Sequence, residues 1–343
     1  MKQKVTIQQI ADLANVSKFA VSRALAGKTG VSNTTRDMII KTAGQLGYFK
    51  NTPLMANPSI QQVEPQVGEN SGAIVVLFPN IRYQNHDSVY WGPVFDGVSA
   101  RLNQKKMDIL SLTEPSSDHV FSLLNPGAIQ GIITLGMVST QILLDIKQLA
   151  IPVVMVDHMD AAFQADMIFT DNITCMRQLI LKLISKGYRK YQFVGNIRDA
   201  YSFYERWLGF LSVLSDYEIP HDQIPQLIGP EVEKIEDAIP MAIENHELPE
   251  VFVCVNDTTA MFVMEELRKK GIDAPGQVKV TGFDNTYKNL PILATVDVNE
   301  ELLGMRAVDQ LLWRVQNRSA SYEKILIQAD VVVRDLATIT RET

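Results

Sequence analysis

Four side chains in this 343-residue chain stand where they could do chemistry. Asp157 directly follows Pro152-Val-Val-Met-Val156, Asn256 follows Val251-Phe-Val-Cys-Val255, and Asp284 follows the run Val278 to Phe283. Each apolar run reads as a buried strand, so each polar residue falls at a strand end. Arg206 is expected to open a helix within Tyr201-Ser-Phe-Tyr-Glu-Arg-Trp-Leu-Gly-Phe210. Two carboxylates, a carboxamide and a guanidinium offer donors and acceptors in fixed directions, which is what a polyhydroxylated ligand such as a sugar demands. Tyr90, Trp91 and Phe203 could cover its C–H surfaces. Each residue also has a plainer explanation. An Asp after a strand often caps a helix, and Asp257 is expected to do so. Trp207, at helical spacing with Phe210 and Leu211, is expected in the core.

A second group lies near the start of the chain: Ser17, Lys18, Phe19, Ser22 and Arg23. Thr6 followed by Gln9 predicts a capping box and a helix with Ile7, Ile10, Ala11 and Ala14 on one face. Asn15-Val16 interrupts that helix. Ser17 then caps a second one, with Ala20, Val21, Ala24 and Leu25 inward and the polar group outward. Ser32 caps a third, carrying Met38, Ile39, Ala43 and Leu46. Three short helices with a tight turn between the first two describe a helix-turn-helix unit, whose second helix can enter the major groove of DNA. A structural three-helix bundle would share the pattern, but charge favours DNA. Residues 1–50 hold eight Lys and Arg against two Asp, a balance of +6; the remainder holds 24 against 37, or −13. A basic head on an acidic body suits a chain that meets phosphate at one end.

Behind these groups stand the elements that must position them. Strands are expected at 73–78, 107–112, 131–135, 152–156, 190–194, 251–255 and 278–283. Helices are expected at 94–105, 118–124, 140–149, 173–186, 206–216 and 258–270. Such alternation predicts an α/β body of parallel sheets covered by helices, and two series of it predict two lobes. Loops at the carboxyl ends of the strands would then meet in a cleft between the lobes. Between head and body, Phe49 to Gly72 contains Pro53, Pro58 and Pro65 and reads as a linker.

At the head, Val5-Thr6-Ile7, Ile10-Ala11, Ala14, Val16-Ser17, Val21-Ser22-Arg23, Leu25, Gly27, Val31-Ser32, Thr35-Arg36 and Leu46-Gly47-Tyr48 resemble the lactose/galactose repressor (LacI/GalR) family. The resemblance continues through Asp171-Asn172, Leu183 to Tyr188, Arg206 with Gly209-Phe210, Asn256-Asp257 with Ala260, Gly282-Phe283-Asp284 and Thr295-Val296. It implies phosphate contacts from Thr6, Ser17, Ser22 and Ser32, and base contacts from Lys18, Phe19 and Arg23. It also implies a hinge helix whose wedge into the minor groove would here be Leu54 or Met55. The body would be a two-lobed domain similar to periplasmic sugar-binding proteins, with Asp157, Arg206, Asn256 and Asp284 on the effector. The implied plan is a DNA-binding domain at 1–50, a hinge at 51–72, and an effector-binding and dimerisation domain at 73–343. Lobe 1 would take 73–168 and 299–324, and lobe 2 would take 169–298 and 325–343. Departures from the family pattern include Ala20 for Thr, Ala26 for Asn, Cys175 for Gly, Asn285 for Asp, and Asp297-Val298-Asn299 where Gln-Pro is usual.

The resemblance implies a transcriptional regulator, a repressor in the first instance, binding double-stranded operator DNA as a homodimer under control of a small carbohydrate effector. A solute-binding protein of a transporter is disfavoured by the basic head and by an N-terminus without an apolar signal core. A sugar-acting enzyme is disfavoured because the five histidines are scattered and no nucleophile elbow, phosphate loop or metal spacing occurs. No catalytic residue, metal ligand or cofactor is expected. His158, beside Asp157, is expected to touch ligand rather than act as a base. Cys175 and Cys254 lack metal-type spacing, and no apolar run is long enough to span a bilayer, so a cytoplasmic location is expected. The tail lacks a leucine heptad, which favours a dimer over a tetramer.

Overall fold

A computed structural model of the chain describes residues 5–25, ten positions between 31 and 48 (31, 32, 35, 36, 38, 39, 42, 43, 46 and 48), and residues 72–78, 88–113 and 126–334. In the head, α1 (Ile7–Leu13) and α2 (Lys18–Leu25) pack at an angle around Ile10, Ala11, Ala14, Val21 and Ala24. Ile39, Ala43 and Leu46 complete this small core. The capping box forms as expected: Gln9 N donates to Thr6 Oγ1 at 3.3 Å, and Thr6 N donates to Gln9 Oε1 at 2.7 Å. Met38 departs from expectation, since it is exposed rather than inward.

The body contains a six-stranded and a five-stranded sheet. The first has the order β10-β5-β4-β3-β1-β2, built from β1 (Ala73–Phe78), β2 (Asp108–Thr113), β3 (Ile129–Leu135), β4 (Val153–Val156), β5 (Asp166–Thr170) and β10 (Lys324–Ile327). All of its pairings are parallel. The second has the order β11-β9-β8-β7-β6, built from β6 (Tyr191–Val194), β7 (Val251–Cys254), β8 (Lys279–Thr281), β9 (Ala294–Asp297) and β11 (Asp330–Val333). Here β11 runs antiparallel to β9, so this sheet is mixed rather than wholly parallel. β1 is buried at every position, as a strand covered on both faces must be.

Helices α3 (Trp91–Gln104), α4 (Thr140–Gln148) and α9 (Glu300–Gln316) cover the first sheet. With the second sheet go α5 (Asn172–Ser185), α6 (Tyr201–Asp216), α7 (Ile235–Asn245) and α8 (Asp257–Lys269). Because β5 and β10 belong to the first sheet, it extends to Thr170 and Ile327, past the expected lobe limits at 168 and 324. The expected helix at 118–124, the expected hinge and the tail after Arg334 lie outside the described residues.

One helix contact bears directly on the site. A Cβ on Gly97 would lie 2.0 Å from the Glu301 carbonyl oxygen, and one on Gly304 would lie 2.0 Å from that of Val94. Only glycine lets α3 and α9 approach so closely. Their N-terminal ends are thereby brought together at the mouth of the cleft, Tyr90 before α3 and Glu300 at the start of α9.

Candidate functional site

On the head, the turn Ala14–Val16 sets the direction of α2. Asn15 takes φ +48, a left-handed conformation that Asn tolerates, and Val16 N donates to Ala11 O at 3.0 Å. Ser17 Oγ then accepts from Ala20 N at 3.1 Å, while Val21 and Ala24 bury the inner face. The opposite face presents Lys18, Phe19 and Ser22, with the Phe19 ring 68% exposed. The Arg23 guanidinium lies 5.2 Å from the centre of that ring. A large exposed aromatic stiffened by a cation is unusual on an ordinary solvated helix and suits a surface that meets another molecule. Ser32 Oγ accepts from Thr35 N at 3.1 Å, so Thr6, Ser17 and Ser32 all sit at helix starts, where backbone N–H groups favour anions. Leu54 and Met55 lie outside the described residues.

In the body, Asp157 follows β4 with φ +54, and Asp284 lies beyond the end of β8 with φ +94. Left-handed non-glycine residues at two facing strand ends are a form of strain that recurs at ligand sites. Arg206 pairs with Asp284 and acts on Asp157 through its charge. Its side chain is 2% exposed; Nε donates to Asn172 Oδ1 at 2.9 Å, Nη1 to the Val255 carbonyl at 2.8 Å, and Nη2 to Asp284 Oδ1 at 2.9 Å. The guanidinium lies flat against Phe283, 3.7 Å from the ring centre, with Phe203 at 5.6 Å. Asp157 Oδ2 accepts from Ser202 Oγ at 3.0 Å, which is a bond between the two lobes. A second such bond runs from Lys324 Nζ on β10 to Glu205 Oε1 on α6 at 2.5 Å, with the ammonium between the Phe169 and Tyr201 rings.

Burial dominates the electrostatics. It pushes the Asp157 carboxyl up to about 7, against the pull of Arg206 and Ser202. Asp284 is also raised by burial, opposed by Arg206. The Tyr90 hydroxyl is pushed well above its ordinary value by burial and then by Asp157 and Asp284, which places it in the same cluster. Glu300 rises to about 7 through burial and through Asp284, Asp297 and Asp257.

The structure thus brings Tyr90, Asp157, Phe203, Arg206 and Asp284 together, and treats other expectations differently. Arg206 does not open its helix. α6 begins at Tyr201, so Arg206 lies in the second turn, where it can reach inward to Asn172. Asn256, rather than Asp257, is the cap of α8: its Oδ1 accepts from Thr259 N at 2.8 Å, leaving only its amide nitrogen to donate toward a ligand. Asp257 instead accepts from Thr295 Oγ1 at 2.7 Å. Trp91 is buried in the core beside Val94 and Val98, and meets Tyr90 edge-on at 4.9 Å, so it supports Tyr90 from behind. Trp207, partly buried, stacks on Phe210 and packs against the core, close to expectation. His158 is buried against Val138, and burial lowers its pKa.

Asn172, Ser202, Glu205, Glu300 and Lys324 were not legible as site residues. Two departures from the family pattern prove to be coupled, since Asn285 Nδ2 donates to Asp297 Oδ1 at 2.7 Å. Arg334 Nη2 in turn donates to Asn285 Oδ1 at 2.8 Å.

Comparison with known proteins covers both parts of the chain. Residues 6–51 match the profile of bacterial regulatory proteins of the lacI family. Residues 79–335 match that of periplasmic binding proteins and the sugar binding domain of the LacI family. The NTD biosynthesis operon regulator NtdR of Bacillus subtilis (strain 168) is 25% identical over 96% of this chain and 99% of its own length. The HTH-type transcriptional repressor PurR of Vibrio atlanticus (strain LGP32) is 25% identical over 96% and 97%. Among solved structures, a transcriptional regulator CelR–cellobiose complex shares the fold with a TM-score of 0.66 and 19% identity, covering 96% of this chain and 99% of that one. The Lac repressor dimer bound to operator and the anti-inducer ONPF does so with a TM-score of 0.63 and 20% identity, over 97% and 98%. Matched in head and body alike, the chain belongs to the LacI family of bacterial regulatory proteins and is a DNA-binding transcriptional regulator.

Proposed function

We propose that this regulator acts in the cytoplasm as a repressor, binds a pseudo-palindromic operator as a homodimer, and is controlled by a sugar or sugar derivative held between its lobes. Two copies of α2 would enter successive major grooves, with half-site spacing matched to the dimer's two-fold axis. Lys18 and Arg23 can donate to base edges, and Phe19 can pack on a thymine methyl. Thr6, Ser17, Ser22 and Ser32 would hold the phosphates, and Leu54 or Met55 would supply a minor-groove wedge.

The observation that carries the effector reading is Arg206. It is buried, fixed by Asn172 and Asp284, and aimed at the strand ends where Asp157, Asn256 and Tyr90 also stand. A guanidinium has five N–H donors, and three are engaged by Asn172, Val255 and Asp284. The remaining two suit ligand hydroxyls. Such an array binds and orients rather than reacts, and the matched relatives named above are regulators.

Coupling follows from the bonds between lobes. Asp157–Ser202 and Lys324–Glu205 hold the lobes in one relative position, and a ligand inserted between Asp157 and Arg206 changes the first of these. Operator affinity responds only to the extent that the ligand binds one lobe arrangement better than the other.

A thermal-shift screen of the full chain against sugars, sugar phosphates and purines tests this reading. A ligand that binds the folded state raises the melting temperature with its occupancy. The expected result is a hit among the sugars that disappears in Arg206→Ala. A hit that survives Arg206→Ala would put the effector elsewhere.

A further inference from the structure

The effector cleft has more carboxylates than cations among its described residues. Arg206 is paired directly with Asp284, and Lys324 with Glu205. Arg334 donates to Asn285 and to the Tyr287 and Leu290 carbonyls. Asp157 receives a neutral hydroxyl, that of Ser202, and shares with Asp284 the one guanidinium of Arg206. Glu300 faces Asp284, Asp297 and Asp257, all of its own sign. Asp257 is fully buried: its Oδ1 receives the Thr295 hydroxyl, and the Arg334 cation and the Tyr287 backbone N–H pull against its burial.

An uncompensated buried carboxylate is costly, and proteins ordinarily pair it, hydrogen-bond it fully or let it take up a proton. Here burial leaves Asp157, Asp257 and Glu300 at about 7, so near neutral pH the cleft is poised to accept positive charge. A neutral polyol brings hydroxyl donors but no charge. An ammonium brings three donors, no acceptor and a full positive charge. The Tyr90 and Phe203 rings give a cation favourable faces as well as cover for C–H surface.

We propose that the effector is an amino sugar, a polyol bearing at least one protonated amine, whose ammonium neutralises the surplus carboxylates at Asp157 and Glu300 while its hydroxyls engage Arg206 and Asn256. This rests on the effector-cleft reading given above and adds the charge of the ligand to it. It also gives a reason for the Asn285–Asp297 pair, which places an additional carboxylate at the same mouth.

The test uses matched pairs on the full chain by isothermal titration calorimetry: D-glucosamine against D-glucose, D-galactosamine against D-galactose, D-mannosamine against D-mannose, and the N-acetyl form of each. The expected result is an amine bound at least about tenfold more tightly than both its neutral and its N-acetyl counterparts, the scale of one close charge pair. That preference should vanish in the double variant Asp157→Asn with Glu300→Gln. Affinity for the amine should rise with pH as the carboxylates lose their protons, then fall once the amine loses its own, whereas a neutral sugar shows no such maximum. A neutral sugar bound as tightly as its amine overturns the proposal and leaves the sugar reading standing. If no sugar of either kind binds, both fall. Asp157→Asn gives a check that needs no ligand. It should raise the melting temperature of the unliganded chain at pH 8, because it removes a buried carboxylate whose burial outweighs the pull of Arg206 and Ser202, and a lowered value overturns the proposal.

Discussion

Two arginine–carboxylate pairs lie buried in the body, and they are coordinated differently. Arg314 meets Asp166 side-on, Nε to Oδ2 and Nη2 to Oδ1, both at 2.7 Å. Its remaining donors go to the carbonyls of Asn317, Ala320 and Ser321, and Asp166 also accepts from Glu323 N. Every N–H of that guanidinium is satisfied inside the chain, and the pair fastens the end of α9 to β5 and the start of β10. Arg206 is equally buried, but it leaves two donors unassigned and stands near Asp157, whose carboxylate accepts from the neutral Ser202 hydroxyl rather than from a cation. Burial and charge alone would rank the pairs together. Completeness of coordination separates a structural fastening from a binding site, because a site must keep unsatisfied groups for its ligand.

Breaking the closed pair should cost the most stability. Arg314→Ala should lower stability by about 3–5 kcal/mol, since it leaves Asp166 buried without a partner. Urea unfolding reads this as a lower midpoint with unchanged slope. Arg206→Ala should cost less stability, because Asp284 is already raised by burial and can take up a proton. It should abolish the ligand-induced thermal shift while leaving operator affinity intact. Equal stability losses in the two variants would remove the distinction drawn between the pairs.

On the head, where the functional side chains are exposed rather than buried, the expected balance reverses. Arg23→Ala should weaken a specific operator by about 1–3 kcal/mol with the melting temperature unchanged. Unchanged operator affinity in an electrophoretic or anisotropy assay would remove Arg23 from base reading.

Stability also depends on pH. Asp157 and Asp257 have ordinary values of 3.8 and Glu300 of 4.5, and burial raises all three to about 7 in the folded chain. Between those limits the folded state holds protons that the unfolded chain has lost. Their contribution to stability is therefore fully present below about 4, declines as pH rises to about 7, and then levels. Thermal unfolding followed from pH 5 to 8 should show the decline, and Asp157→Asn should flatten it. A wild-type melting temperature that rises over that range would contradict the assigned direction.

Much of this was legible in the sequence because it is local. Thr6 and Gln9 lie one helical turn apart, so their capping box can be read directly, as can the Asn15 turn and the inward face of α2. Asp157 and Asp284 could be found because strand ends are marked by the residues that stop an apolar run. Long-range pairing could not. Nothing local ties Asp166 to Arg314, Glu205 to Lys324, or Asn285 to Asp297. Short elements were missed for a related reason. α7 carries Pro240 within it, which argues against a helix interior, and β10 is only four residues long with no position fully buried. Asn256 was singled out for the effector, but its capping role depends on where α8 begins, which spacing fixes only to within a residue or two.

Operator binding in the presence of the cleft's ligand shows whether the Arg206 cleft governs the DNA-binding head. An operator selected from random duplex DNA would be titrated with the wild type and with Arg206→Ala, with and without the sugar identified by thermal shift. Equal operator affinity is expected for the two proteins without ligand, and a ligand-dependent change in the wild type alone. A ligand response that persists in Arg206→Ala would contradict that expectation.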